Sequence, residues 1–217
     1  FLQTLGIVLK KGDEVVLSTQ EHPAALKPWV HRESKDGIVL KYVFIPSPLV
    51  SKQDVINRLM SAVTTKTKAI SFCHVTRGGH KYPVKEIANA ARRKGVATLV
   101  DGAQAVGQFP VDIKDLGCDA YSASLHKWIL APAGSGFLFV RDRSKNYFES
   151  PFDIKASTVK SYFNPPGTKD YPIRAAIGTA LSFIDKIGLE NIENRCRYLS
   201  NHLKKGLKKI KDVKILS

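Results

Sequence analysis

Cysteine is scarce in this chain. Cys73, Cys118 and Cys196 are its three cysteines, and no two have the CxxC spacing of a zinc or redox pair. Cys73 falls in an apolar pattern and reads as a small buried hydrophobe, and a reduced cytoplasmic setting follows as the simplest expectation. Long apolar runs are missing too. Nothing approaches the ~20 residues of a membrane-spanning helix. No signal peptide with a charged start and a small-residue cleavage site is visible. A glycine-rich GxxxxGK loop, zinc-finger spacing, an aromatic-rich RNA motif, internal repeats and low-complexity tracts are likewise absent.

Negative charge is also in short supply. Asp and Glu total 19 against 34 Lys and Arg, a net charge of +15. Such a balance attracts nucleic acid or anionic surfaces. Much of it is scattered, however, or sits in one late helix at Lys204, Lys205, Lys208, Lys209 and Lys211. A charge run of that kind reads as a solvated helix face, so nucleic-acid binding is set aside as the main role. With 43% hydrophobic residues in 217, the chain can bury the core of one large domain, or of one domain and part of another. It opens on Phe1 rather than Met, and both termini read as cuts in a longer protein.

What is present is a succession of short apolar runs bounded by turn residues and alternating with helical patterns. That is the signature of a mostly parallel α/β sheet. Strands are expected over residues 14–18, 38–45, 69–74, 96–100, 119–123 and 137–140. A helix tail over residues 1–9 precedes the first of them. Trp29 falls in a packing helix, and Ser51 with Asp54 three residues later marks a helix start. Pro83 opens another helix, closed by Gly95. Residues 111–117 read as a short amphipathic connection and 150–167 as loop. Helices are expected over 173–187, stopped by Gly188, and over 189–210. Residues 213–216 resemble the first strand of a further domain, giving a large domain over 1–188 and the start of a small one over 189–217.

Two of these strands carry the chemistry. The run 96–100 ends in Asp101, and the run 119–123 delivers Ser124, His126 and Lys127. In open α/β sheets ligands sit beyond the carboxyl ends of the strands, so Asp101 and Lys127 should face one crevice. Alone, an Asp after a strand can be a helix cap and a Lys can be a solvated charge. Together they suit pyridoxal 5'-phosphate, which is held as a Schiff base on a lysine and paired through its pyridinium nitrogen with an acid. Ser124 and His126 would then donate to its phosphate. No metal set is apparent.

The strings DGAQAVGQFPVD, SLHKW and APAGSGFLFVR resemble the class V aminotransferase family of pyridoxal-phosphate enzymes, which includes cysteine desulfurases, selenocysteine lyases and isopenicillin N epimerase-like proteins. The match runs from about Gly12 to Gly188. It implies the large-domain fold of these enzymes, with a mixed seven-stranded-type sheet and helices on both faces, and a homodimer. It also implies that His22 stacks on the cofactor ring, that Gln104 donates to the cofactor's phenolate oxygen, and that Thr168 reaches the phosphate of the partner subunit's site. His22 and Gln104 also have purely structural readings, and Thr168 reads equally as a turn residue. Arg77 stands where several desulfurases carry Asn. It could grip a substrate carboxylate bidentately or be a surface arginine.

The HKW, GSGFLFVR and GTKD strings are more similar to the epimerase-like branch than to typical desulfurases. Three readings follow. The first is an epimerase, lyase or aminotransferase acting on an α-amino acid through Lys127. The second is a cysteine desulfurase or selenocysteine lyase. The third is a basic nucleic-acid-binding or scaffold protein with an inactive fold. The resemblance puts a further phosphate loop before Phe1, and a substrate-carboxylate Arg after Ser217. In desulfurases it adds a nucleophilic Cys there.

Overall fold

Val15, Val16 and Leu17 are fully shielded from water. Side chains alternate across a strand, so a strand with no exposed side must be covered on both faces. The structure, a computed structural model that describes residues 2–151 and 167–217, meets that requirement with a central sheet. Its strands are β1 (Glu14–Ser18), β2 (Val39–Val43), β3 (Thr67–Cys73), β4 (Ala97–Asp101), β5 (Ala120–Ser124) and β6 (Gly136–Val140). Their order is β2-β1-β3-β4-β5-β6. β1 to β5 are parallel, and β6 returns antiparallel to β5. Six strands, not seven, form the sheet among the described residues.

Each face has its own apolar layer. Val16, Ile70, Phe72, Val100 and Tyr121 point to one side and meet α3 (Lys52–Ser61) and α4 (Val84–Arg93) through Val55, Leu59, Ile87 and Ala91. Val15, Leu17, Ala69, Leu99 and Ala120 point to the other and meet α2 (Pro23–Asp36) through Trp29. Trp29 is a packing residue, as expected. It is 1% exposed and its indole nitrogen donates to Ser71 Oγ at 3.1 Å.

Local signals set the helix ends. Ser51 Oγ accepts from Asp54 N at 3.0 Å, which satisfies a donor that the first turn leaves free. Residues 111–117 contain α5 (Ile113–Leu116), capped by Asp112. The helix at the start is short, α1 (Leu2–Gly6), because Ile7 leaves it to bridge Phe148. Buried Arg32 fastens α1 to α2. Its guanidinium donates to the carbonyls of Thr4 at 2.9 Å and Ile7 at 2.7 Å and pairs with Asp36.

Asp170 caps α6 (Tyr171–Ile187) by accepting from Ile173 N. After Gly188 comes α7 (Leu189–Leu207), three residues shorter than the expected 189–210. The expectation of a strand at 213–216 is not met. Leu216 O accepts from Ser47 Oγ there, and Ser217 lies beside Gly79. Those loop residues present no strand edge to pair with. Residues 152–166, most of the expected loop, lie outside the described residues. No helix among the described residues is long and apolar enough to cross a membrane.

Candidate active site

Because β1 to β5 are parallel, their carboxyl ends share one edge of the sheet. β3 and β4 are in register with Cys73 beside Asp101, and β4 and β5 with Asp101 beside Ser122. Asp101 therefore stands at the tip of a central strand. Its Oδ1 accepts from Ala103 N at 2.9 Å, the next turn's own donor. That bond fixes the carboxylate's orientation and leaves acceptor capacity free.

One strand away, β5 ends at Ser124 and the chain turns. Leu125 N donates to Ser135 O and Ala131 N to Leu125 O, each at 3.0 Å, closing the segment that carries His126 and Lys127. Inside it Leu130 holds a φ of 61°, a left-handed conformation uncommon for a residue with a Cβ. Gly107 packs beneath. A Cβ there would stand 2.8 Å from the Trp128 carbonyl carbon and 2.9 Å from Ile129 N. The lysine turn thus rests directly on another backbone.

His22 comes from a third strand tip. It follows β1 and is the N-cap of α2, its Nδ1 accepting from Ala24 N at 3.1 Å. That bond leaves the proton of the neutral ring on Nε2.

These tips enclose a cavity of about 410 Å³ lined by His22, Asp101, Ser124, His126 and Lys127. Five of the expected site residues are thus brought together. Gln104 does not line this cavity. It sits on the β4–β5 connection, where its Oε1 accepts from Trp128 Nε1 at 3.0 Å. Its amide hydrogens are left to donate elsewhere. Thr168 is exposed ahead of α6 and does not line the cavity. Arg77 is exposed too, and lines a neighbouring open cavity with Gln20, Glu21 and Ser47.

Residues that sequence reasoning missed complete the walls. Gln3 and Thr4 of α1 reach the cavity from the opposite end of the described chain. Gln3 is 5% exposed, and its Oε1 has no hydrogen-bond partner among the described residues. A buried acceptor without a donor is costly, so this wall is built for a ligand that donates or for ordered water. Nothing local in the sequence marks Gln3, because its burial depends on the Arg32 clamp.

Glu21 directly precedes His22. Its Oε1 accepts from Ser18 Oγ at 2.5 Å. Burial pushes its carboxyl up to about 8, the Ser18 bond pulls it down, and the Asp101 charge adds to the rise. At neutral pH Glu21 therefore keeps its proton and Asp101 faces no second negative charge there.

A last contact lies underneath. Tyr121 OH meets His74 Nδ1 at 2.9 Å, and a Cβ on Gly102 would fall 2.0 Å from the tyrosine ring. Burial depresses His74 to about 4, helped by Lys81, so the imidazole stays neutral. The residue after Asp101 must therefore be glycine for the carboxylate to keep its place over Tyr121.

A pyridine ring with an aldehyde and a phosphate needs an amine, an acid and nearby donors. The cavity offers Lys127, Asp101, Ser124 and His126, with the Gln3 acceptor in its wall, so pyridoxal 5'-phosphate fits the donor set.

The family model for class-V aminotransferases matches residues 1–217. A probable cysteine desulfurase of Synechocystis sp. is 28% identical over 219 residues, covering 95% of this chain and 51% of the relative. The isopenicillin N epimerase of Amycolatopsis lactamdurans is 38% identical over 138 residues, or 62% of this chain and 35% of the relative. Among solved structures, an apo cysteine desulfurase from Thermococcus onnurineus superposes with a TM-score of 0.77 at 28% identity, covering 96% of this chain and 55% of that one. The chain spans about half the length of the curated relatives that match most of it.

Proposed function

The chain belongs to the class-V aminotransferase family, and from that premise we propose that it is the cofactor-binding part of a pyridoxal-phosphate enzyme acting on an α-amino acid. The observation that carries this reading is the convergence of His22, Asp101, Ser124, His126 and Lys127 on one cavity. Residues 1–188 form the large domain and 189–217 lead into a small one.

Bound in this cavity, pyridoxal phosphate would supply an electron sink for the pair left on the substrate when a bond to Cα breaks. The chain's own groups do the rest. Lys127 would be the amine that holds the group, and it would move a proton at the substrate Cα. Asp101 would keep a proton on the ring nitrogen, and neutral Glu21 beside it would leave that role to a single carboxylate. His22 presents a flat ring to the pyridine. Ser124 and His126 would bind the phosphate, and the Gln104 amide, whose carbonyl is engaged by Trp128, would have to turn in from outside the cavity wall to donate to the phenolate oxygen. Thr168 completes the site of a second subunit in a homodimer, and Arg77 takes a substrate carboxylate.

The reaction type we favour is that of the epimerase-like branch. Its support is the 38% identity to isopenicillin N epimerase and the GTKD string at residues 167–170. A second reading, cysteine desulfurase, draws on relatives of that name that align with 95% of the chain. A cytoplasmic setting suits the three free cysteines. The test is borohydride reduction of the full-length protein with pyridoxal phosphate, followed by peptide mass spectrometry. The label should sit on Lys127 and vanish in Lys127→Ala; a label retained elsewhere in that variant overturns the assignment. Incubation with a panel of amino acids, scored for inverted product, keto acid or sulfide, separates the two reaction types.

A further inference from the structure

Helix α7 lines a second cavity with polar side chains. Glu193, Arg197, Ser200, Asn201 and Lys204 recur at three- and four-residue spacing and form one wall of a cavity of about 250 Å³. Tyr198, Leu199 and Leu203 of the same helix are 60%, 49% and 61% exposed. The far wall comes from the loops after β3 and β4, where Lys81 Nζ lies 3.8 Å from the centroid of the Phe109 ring.

The charges in this cavity do not balance. Arg197 gives both Nε and Nη2 to a single oxygen of Glu193, at 2.9 and 2.6 Å. Glu193 is the one acid in the lining among the described residues and acts on Lys81 as well, so a single carboxylate serves three cations, Arg197, Lys81 and Lys204. Burial lowers the Lys81 ammonium most, Glu193 opposes that, and Arg197 and Lys52 add to the lowering; His80 is lowered by burial and then by Lys204. Cations gathered in a partly desolvated cleft repel more strongly than in open water. The side chains of Gln108, Ser200 and Asn201 make no hydrogen bond among the described residues, so donors remain for a guest.

We propose that this cavity is an anion site, separate from the Lys127 cavity, for the phosphoryl group of a small molecule. Lys81 and Lys204 bind it as point charges, the outer face of the Arg197 guanidinium adds directed donors, and Ser200 and Asn201 supply neutral ones. The volume lies below the ~300 Å³ at which pockets for drug-sized ligands begin, which suits a compact anion. This inference does not depend on the cofactor reading.

The test is calorimetric titration of the full-length protein as purified, at constant ionic strength, with inorganic phosphate and with glycerol phosphate. Both should bind saturably; the tighter of the two tells whether the natural guest is the free ion or an ester. Arg197→Met and Lys81→Met should each weaken binding about ten-fold, the loss of one charge-assisted contact. Lys205→Met, on the same helix but outside the cavity, should leave it unchanged. Circular dichroism confirms folding, and Arg197→Lys should restore part of the affinity. Absence of saturable binding to the intact protein overturns the proposal. So does an equal loss in Lys205→Met, which would mean diffuse charge. Binding abolished by Ser124→Ala but kept in Arg197→Met places the ion in the Lys127 cavity instead and is equally fatal. Binding of a polyglutamate peptide without phosphate binding assigns the groove to an acidic chain and rejects it too.

Discussion

Replacing Glu21 by Gln should change how stability depends on pH. The glutamate is part-buried, bonded to Ser18 Oγ and close to Asp101. Its carboxyl is raised from 4.5 to about 8 in the fold, burial being the largest cause. The folded protein therefore binds a proton that the unfolded chain has already released between these two values. Stability must fall as pH rises through that window, because the native state holds more protons than the unfolded one. Each unit of difference corresponds to ~1.4 kcal/mol, so the ceiling is roughly 5 kcal/mol by pH 8. Water entry and local relaxation reduce such values, and a difference of about 2–3 kcal/mol is expected in practice. Gln keeps the shape and the acceptor for Ser18 but cannot ionise. Glu21→Gln should thus match the parent near pH 5 and exceed it by that margin at pH 8. Urea denaturation of the full-length protein at steps between these pH values, with unchanged m, reads the difference directly. Other groups, such as His74, cancel in the comparison. A difference that stays flat with pH would refute the reasoning. A variant that grows weaker as pH rises would show instead an ionised Glu21 held by a cation, for which Arg77, lining the same open cavity, is the candidate.

Three further outcomes are expected. Gly107→Ala combines a φ of +89° with a Cβ 2.8 Å from the Trp128 carbonyl carbon. It should lose about 2 kcal/mol and lower the yield of borohydride label on Lys127; a normal yield would mean the lysine turn is not seated on this glycine. Gly102→Ala would drive a methyl into the Tyr121 ring, which His74 holds by a 2.9 Å hydrogen bond. A loss of about 3 kcal/mol is expected, and a thermal midpoint equal to the parent's would show that the ring can move aside. Arg32→Met removes the donor to the Thr4 and Ile7 carbonyls. It should cost about 2 kcal/mol and speed amide exchange in α1 and Ile7 ahead of the sheet.

The sheet was legible because its strands are short apolar runs buried on both faces. Burial on both sides needs no register information, so β1 was placed at 14–18 and observed as Glu14–Ser18. β2, at the sheet edge, gave blurred limits: 38–45 was expected and Val39–Val43 pairs. Ser51, Asp54 and Gly188 announced helix ends through bonds formed within a few residues. The strand-end residues Asp101 and Lys127 were readable because parallel topology sends strand ends to one edge.

What stayed hidden depends on contacts distant in sequence. Gln3 reaches the cavity only because Arg32 binds α1 from 28 residues away. The Glu21 environment is assembled from β1, β3 and β4 together. The pattern at 213–216 resembles a strand, yet a strand exists only where a neighbour offers its ladder. Of the lysine run read as a solvated face, Lys205, Lys208, Lys209 and Lys211 are exposed, whereas Lys204 lines a cavity, since spacing alone does not say which side of a helix meets the protein.

The common direction of β1 to β5 separates two kinds of inheritance. The side chains that hold the sheet together, such as Val15, Leu17, Ile70 and Leu99, are fully buried within it. Those that line the Lys127 cavity sit at the last residue of a strand or a few residues beyond, as Asp101, Ser124 and Lys127 do, where exchanging one leaves the layers beneath untouched. A lineage can therefore trade one reaction for another at the rim while the platform passes down unaltered. Glycines such as Gly102 and Gly107, wedged between the two, are where that freedom ends.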